Sequence, residues 1–478
     1  MPRSIVALRA TALVVSAWAA PARGASQEVE ELKQQVKMLQ QRIEQLEQHE
    51  KEKAAAPAPA SVGPGGALAT TPGTVVPSAT APAIEGEASA VKNRASLRDQ
   101  QEAAPRPGDF TLDPKYRGFT RIPNTPVLIK FNAKPRTDVT LDTKNAGDDN
   151  RFITAKIPVT GDPTKGGDPQ FNINAKGSQL RIDVRAPEIA GAPRFYYEND
   201  FYGSGGGEFP YRIRHLYGQY YNIIVGQTYS IFEDPDVWPD TVDYEGPNSA
   251  IFARRPLVRY LQPIGKEWQL NFGIEQPESE VDLNGQPDNA RSINNAPDGG
   301  VNARWERDGV GHVQLATILR SISVDGSTHG KQSTLGWGFN AATGLNAFGD
   351  DAFQGQLTYG HGLFRYSNDD FVNNDAAFDK SGDLQAIPYF GAMVGYTHVW
   401  IPDWRSTVSG GYVHLDNSAS QAGDAYHQTV YASANLIFQY HKRLSIGIEA
   451  LYGHHETRDG SDGDVARVMA GLVYSIFD

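Results

Sequence analysis

YRIRHLYGQYYNIIVGQTYSIFEDPDVWPDTVDYEGP, residues 211–247, reads as two alternating strands joined by almost no turn and followed by a long acidic loop. Successive side chains of a strand point to opposite faces. Arg212 and Arg214 therefore share one face of the first strand, and Ile213, His215 and Tyr217 share the other. From 231 to 250 there are six acids, Glu233, Asp234, Asp236, Asp240, Asp243 and Glu245, and no Lys or Arg. Arginines on a strand face beside a loop of carboxylates can set the charged constriction of a membrane barrel. A surface hairpin with a solvated acidic loop explains the same residues, so the flanking chain has to decide.

Outward from this stretch, alternating segments recur from Thr125 to the C-terminus: 126–143, 171–186, 193–203, 210–221, 222–230, 252–262, 267–276, 300–308, 311–322, 332–343, 352–366, 387–400, 404–416, 426–440, 443–456 and 465–477. Sixteen is an even number, as single-chain bacterial barrels have. Most segments reach the roughly 9–11 residues that a tilted strand needs to cross a bilayer. Links from even to odd segments are short, such as Tyr221–Asn222, 263–266, Gly309–Val310 and 401–403, with 344–351 of moderate length. The long links, 144–170, 231–251, 277–299 and 367–386, all run from odd to even segments. Short periplasmic turns alternating with longer outer loops is the membrane-barrel pattern. It places both barrel ends at the periplasm.

Alternation also assigns faces. Leu180, Ile182, Val184 and Ala186 suit lipid and leave Gln179, Arg181, Asp183 and Arg185 for the lumen. Trp268, Leu270, Phe272 and Ile274 oppose Gln269, Asn271 and Glu275, and Val313, Leu315, Thr317 and Leu319 oppose His312, Gln314 and Arg320. A lipid-facing Arg near the midplane costs about 2–4 kcal/mol, which drives these arginines inward. The lumen candidates are Lys130, Lys134, Arg136, Arg181, Arg185, Arg194, Arg212, Arg214, Arg255, Arg259 and Arg304, interleaved with Asp183, Glu198, Asp200 and Glu306. Fixed guanidinium groups in a narrow wet pore favour anions and grip carboxylates through paired hydrogen bonds. The plainer reading is that these arginines brace the wall by satisfying its acids. The last segment, ARVMAGLVYSIF, has one apolar face (Val468, Ala470, Leu472, Tyr474, Ile476) and is similar to the C-terminal signal read by the barrel-assembly machinery.

The N-terminus differs in kind. Residues 1–24 have a positive start at Arg3, an apolar run and small residues, as in a secretory signal peptide. Residues 25–53 carry a heptad with Val29, Val36 and Ile43 at a and Leu32, Leu39 and Leu46 at d, which predicts a short periplasmic coiled coil. A single amphipathic helix is the alternative. Residues 54–109 are rich in Ala, Pro, Gly and Thr and read as a linker. The barrel domain is expected over 110–478.

Composition narrows function. Net charge is -12 at pH 7, against a basic-patch nucleic-acid binder. Charged residues are 21% and mean hydropathy is -0.45, against a bundle of membrane helices. With Cys 0, disulfides, thiolate metal sites and Cys nucleophiles are all excluded. No cofactor is expected. Asp148 and Asp149 lack a recognisable calcium-ligand spacing.

ENDFYGSGGG (198–207), RIRHLYGQYYNIIVGQTYSIFEDPD (212–236), DYEGPN (243–248), DGVGHVQLATILR (308–320), LGWGFN (335–340) and ANLIFQY (434–440) resemble the DcaP-like porins over about 110–478. That resemblance implies an all-β, sixteen-stranded antiparallel transmembrane barrel in the outer membrane, assembled as a homotrimer with an N-terminal coiled coil. It implies that the third outer loop, 231–251, folds into the lumen. Arg212, Arg214, Arg255 and Arg259 would then line the constriction opposite that loop. The expected partners are outer-membrane lipid and lipopolysaccharide, and small anionic solutes such as dicarboxylates. VLIKFNAKPRTDVTLD departs from the family pattern at Pro135, which removes a ladder donor and suggests a bulge or an edge. Two rivals remain. One is an outer-membrane enzyme, for which no nucleophile motif accompanies His312, His454 or His455. The other is a tether whose barrel only anchors the coil.

Overall fold

The computed structural model describes residues 118–204, 208–370 and 374–476, all within one compact unit, Ala79–Asp478. The signal peptide, the coiled-coil positions Val29 to Leu46, the linker and the first residues of the expected barrel domain lie outside the described residues. Among the described residues no helix is long and apolar enough to cross a membrane.

Twenty strands form one sheet and two more form a small hairpin. The first are β1 (Thr120–Arg121), β2 (Leu128–Lys134), β3 (Arg136–Asp142), β4 (Gln170–Asn174), β5 (Gln179–Arg185) and β6 (Arg194–Asp200). Next come β7 (Arg212–Tyr220), β8 (Ile223–Tyr229), β9 (Arg254–Ile264), β10 (Trp268–Glu275), β11 (Arg291–Ile293) and β12 (Asp298–Arg307). Two tall strands follow, β13 (Gly311–Ser327) and β14 (Gly330–Asn346), and then β15 (Ala352–His361). β16 (Ala376–Phe378) and β17 (Leu384–Ala386) make the separate hairpin. β18 (Pro388–Ile401), β19 (Trp404–Leu415), β20 (Tyr426–His441), β21 (Leu444–Thr457) and β22 (Asp462–Tyr474) complete the chain.

Pairing is antiparallel throughout the sheet and runs from neighbour to neighbour along the chain. It then returns to its start. β22 pairs with β3 from Arg467 opposite Asp142 to Val473 opposite Arg136. Beyond the ladder, Tyr474 N donates to Pro135 O at 3.0 Å and Ile476 N to Ala133 O at 3.0 Å. Closure satisfies the backbone groups that an edge strand would leave open, a requirement in lipid. Pro135 therefore sits at the closing seam, where it separates β2 from β3 and hands the first strand from β5 to β4. The expected single segment 171–186 is likewise broken at 175–178 into β4 and β5.

Alternation sorts the two faces as the physics of a lipid-exposed wall requires. Leu315, Phe339 and Val408 are about 60% exposed, whereas Asp142, Arg320, Arg467 and Thr407 are buried. The strands differ in length: β2 to β6 have 5–7 residues, and β13 and β14 have 17 each. At one end the links are short, as at 221–222, 265–267, 308–310 and 402–403, and at the other they include 143–169, 230–253, 276–297 and 362–387.

One expected face is wrong. Strict alternation puts His215 and Tyr217 opposite Arg212 and Arg214. In the structure the β6–β7 register shifts so that His215 opposes Glu198 and Ile213 opposes Asn199, which leaves Arg214 as the extra residue of a bulge. Beyond it the parity is inverted: His215 and Tyr217 are buried and Leu216 is exposed. Gly226 answers this bend from β8. It lies opposite Tyr217 at φ 126°, and a Cβ there would run into Leu216 O. That backbone region is open to glycine alone. Gly226→Ala should cost about 1–3 kcal/mol, seen as a lower urea midpoint for loss of the folded band on a semi-native gel. An unchanged midpoint would show that the bend is not tied to this residue.

Candidate functional site

Segment 231–251 has almost no solvent-accessible surface, and its partners come from strands around the whole ring. Ile231 O and Phe232 O accept from Asn302 Nδ2 at 2.6 Å and Asn340 Nδ2 at 2.9 Å. Val242 O accepts from Arg136 of β3. Asn435 Nδ2 donates to Asp240 O at 2.8 Å, and Asp243 N donates to Glu449 of β21 at 2.5 Å. Tyr244 Oη bonds Gln179, Arg214 and Asp200 at 3.0, 2.8 and 2.9 Å. The acids of this segment are therefore not solvated. Asp234 meets Arg304 at 3.0 Å and His312 at 3.0 Å, Asp236 meets Arg304 at 2.9 Å, Asp240 meets Arg405, and Glu245 meets Arg151 at 3.4 Å. Burial pushes the Asp234 carboxyl up, but His312 and Arg304 outweigh it and hold it below the ordinary range.

A second segment, 362–387, docks on the first. Phe252 N donates to Tyr366 O at 2.9 Å, Asn368 N donates to Ala250 O at 2.9 Å, and Asn368 Nδ2 donates to Glu245 O at 2.8 Å. Phe232, Ile251, Leu363, Phe364 and Tyr366 pack together as one apolar cluster. The alternation predicts a strand over 352–366 and an outer loop over 367–386; instead the strand stops at His361, and Phe364–Tyr366, with Arg365 between two rings, forms a 3-10 turn packed inward.

The expected pore-lining arginines divide into two kinds. Arg185 and Arg194 both bind Asp183, at 2.8 and 2.9 Å, and Lys130 lies opposite Asp183 in the β2–β5 ladder. Arg181 reaches Glu198 at 3.1 Å, Arg212 reaches Asp200 at 2.5 Å, and Arg214 reaches both, at 2.5 and 3.1 Å. Arg304 holds Asp234, Asp236 and Glu306. These side chains brace the wall and segment 231–251. Arg255 donates to Arg365 O at 3.0 Å and stands 3.7 Å from Glu278. Arg259 donates to Tyr229 O and has Glu275 and Glu233 as electrostatic neighbours, with no carboxylate at ion-pair distance among the described residues. It lines a cavity of about 70 Å³ with Tyr217, Ser230, Glu233, Asn271 and Gln314.

Arg254 was missed. Even-numbered like Val258, it falls by parity on the outer face of β9. In the structure its guanidinium lies 4.3 Å from the Phe252 ring centroid, with Arg214, Arg212, Tyr229 and Asp200 as its electrostatic neighbours. The adjacent pair Arg254–Arg255 was the available signal: two consecutive arginines cannot both face water in a regular spanning strand. Among the described residues, no group of three or more His, Asp or Glu is placed to hold a metal ion. Asp148 is engaged instead by Lys156 at 3.0 Å and Arg151 at 3.9 Å.

A closed antiparallel ladder, apolar outside and charged within, defines an outer-membrane β-barrel of the porin class. Its alternating interior and exterior fit a channel and not a packed soluble sandwich. The chain belongs to the DcaP outer membrane protein family, whose model matches residues 120–475. Among solved structures it is similar to the outer membrane channel DcaP of Acinetobacter baumannii, at 21% identity and TM-score 0.65, over 75% of this chain and 99% of that one. It is also similar to an anion-selective porin from Comamonas acidovorans, at 12% identity and TM-score 0.47, over 73% of this chain and 100% of that one. None of the curated proteins compared matches the chain.

Proposed function

We propose that this chain is an anion-preferring porin through which small hydrophilic solutes, dicarboxylates among them, diffuse across the outer membrane. With β2 joined to β3 and β4 to β5 as bent staves, and with the short β1 and β11 set aside, the wall counts sixteen strands. Segment 231–251 is its constriction loop, the short turns face the periplasm, and three copies assemble as a trimer. Lipid and lipopolysaccharide cover the outer face, and β22 presents the strand read by the barrel-assembly machinery. The signal peptide and the periplasmic coiled coil belong to the same proposal.

The observation that carries it is the charge balance inside the wall between β5 and β9. Among the described residues, Arg181, Arg212, Arg214 and Arg254 face Glu198 and Asp200, with Glu233 as a further neighbour of Arg254. Four guanidiniums against three carboxylates leave a positive remainder, and a narrow low-dielectric passage magnifies such a remainder. In planar bilayers under a salt gradient, the reversal potential should report anion preference. A cation preference would remove the guanidinium excess as the selective element, and the absence of any current would remove the porin reading itself.

A further inference from the structure

Away from the lumen, β19 and β20 bring two histidines together near their outer ends. Tyr412 and His414 are partly exposed and alternate with the buried Val413 and Leu415, so they lie on the outward face. Period two alone would put His427 inside with Thr429, which is buried. The β20–β21 register shifts between Tyr426 and Gln428, which leaves His427 as the extra residue of a bulge and turns it towards the face of His414. The two imidazole rings lie 4.7 Å apart, centre to centre, at 73°.

Each ring keeps one nitrogen uncommitted. Asn417 Nδ2 donates to Tyr426 O at 2.9 Å and to Gln421 Oε1 at 3.1 Å, which fixes the amide so that its Oδ1 meets His427 Nδ1 at 2.7 Å. Nδ1 of His427 therefore carries the proton and Nε2 the lone pair. His414 Nδ1 is buried with no hydrogen-bond partner. Gln428, opposite His414 in the β19–β20 ladder, accepts from Tyr412 Oη at 2.7 Å and donates to Glu456 Oε2 at 2.6 Å. A buried polar atom left unmet costs about 1–3 kcal/mol, and a bound ion would offset that cost.

The spacing fits one ion. With metal–nitrogen distances of about 2.0–2.1 Å, two imidazoles at about 90–110° around a metal have their centres roughly 4.5–5 Å apart. Asp416 and Glu456 are electrostatic neighbours of His414 and balance the added charge. Asn417 orients the His427 ring through its N–H, as outer partners do for metal-ligating histidines. We propose that His414 Nδ1 and His427 Nε2 form a two-histidine clip for a divalent transition metal, Cu²⁺ most tightly, on the outward face of β19 and β20. Imidazole suits such ions, whereas Mg²⁺ and Ca²⁺ take oxygen ligands. Water completes the coordination, and the ion ties the two strands together at the root of the 416–425 turn. The clip is separate from the pore and does not rest on the porin reading.

The test is calorimetric titration of Cu²⁺, Ni²⁺ and Mg²⁺ into the untagged full chain in detergent at about pH 7.5, where imidazole is neutral. Wild type is compared with His414→Gln, His427→Gln and a control from another outer bend, His329→Gln. Wild type should bind Cu²⁺ more tightly than Ni²⁺ and should not bind Mg²⁺. Each clip variant should weaken Cu²⁺ about tenfold or more, and His329→Gln should leave it unchanged. No Cu²⁺ binding to wild type, or wild-type affinity in either clip variant that folds, would overturn the clip. Diethyl pyrocarbonate labelling of the wild type, read by mass spectrometry, keeps the test decisive should neither variant fold. Cu²⁺ should shield His427 and leave His329 reactive, and a His427 that reacts alike with and without the ion would overturn the clip.

Discussion

Arg304→Ala should free the root of segment 231–251 and raise single-channel conductance. Arg304 is buried on β12 and binds Asp234, Asp236 and Glu306 at 3.0, 2.9 and 3.1 Å. Removing it leaves Asp234 with His312 and the Asp236 N–H and strips the other two carboxylates of this cation. Breaking a buried ion pair from one side costs about 3–5 kcal/mol, more than the hydrogen bonds from Asn302 and Gln314 to Ile231 O and Glu233 O return. The segment should then detach from the β12–β13 wall while the closed ladder persists. Chymotrypsin should gain access to Phe232 and Trp238, both fully buried in the wild type. Arg304→Lys, which keeps the charge but loses the fork, should fall between. A variant with wild-type conductance and a protease-resistant segment would show that the apolar packing around Phe232 holds the segment without Arg304.

The second large effect is a pH dependence where two outer segments clasp. Val281 bridges Ala376, Asp282 N donates to Ala376 O at 2.8 Å, and Asp375 N donates to Glu280 O at 2.9 Å. Five carboxyls crowd this clasp: Glu278 and Glu280 from 276–297, Asp370 and Asp375 from 362–387, and Asp298 from β12. Three guanidiniums face them. Arg320 of β13 holds Asp298 at 3.0 Å and Asp375 at 2.8 Å, Arg365 binds Glu278, and Arg255 of β9 stands 3.7 Å from Glu278. Glu275 of β10 adds its charge beside Asp298 and takes hydrogen bonds from Ser230 and Tyr366. Acids outnumber cations, so a proton is retained. Burial first, and then Asp375, pushes the Glu280 carboxyl from 4.5 to about 7. Burial and Glu280 push Asp370 up in turn. A raised carboxyl favours the folded clasp while protonated. Its contribution is complete below about pH 4.5 and is lost as pH rises through 7, at most about 3 kcal/mol over that window. Amide exchange at Asp282, Asp375 and Ala376, corrected for the intrinsic rate, should therefore quicken between about pH 5 and 8. Glu280→Gln should flatten the profile. A flat wild-type profile, or a variant that keeps the wild-type slope, would place the retained proton elsewhere.

The wall was legible in the sequence because it obeys one rule. Wherever a strand runs regularly, as in Gln179–Arg185, Trp268–Glu275 and Gly311–Arg320, the alternation assigns faces that match the burial. It failed where the backbone breaks period two. The bulge at Arg214 turned His215 and Tyr217 inward, and the bend around Gly226 and the ladder end turned Arg254 inward with Tyr229. Neither leaves a local signature beyond one glycine and one doubled arginine. The acids of 231–251 were recognised as a group, but their neutralisation was not. Their partners Arg304, His312, Arg405 and Arg151 lie on four separate stretches of chain, and no period relates them. The interlock of 362–387 with 231–251 was hidden for the same reason.

The uneven staves leave the cylinder with a slanted rim. At about 3.3 Å per residue, 17-residue strands run some 55 Å, and the 7-residue β6 and β8 only about 23 Å. A hydrocarbon slab is roughly 30 Å thick. One flank thus overtops the bilayer at the tight bend at 327–330, while the other is too shallow to span unaided. Such a vessel cannot be comfortable with fatty acyl chains on every side, and its low quarter is where protein, not lipid, is the better neighbour.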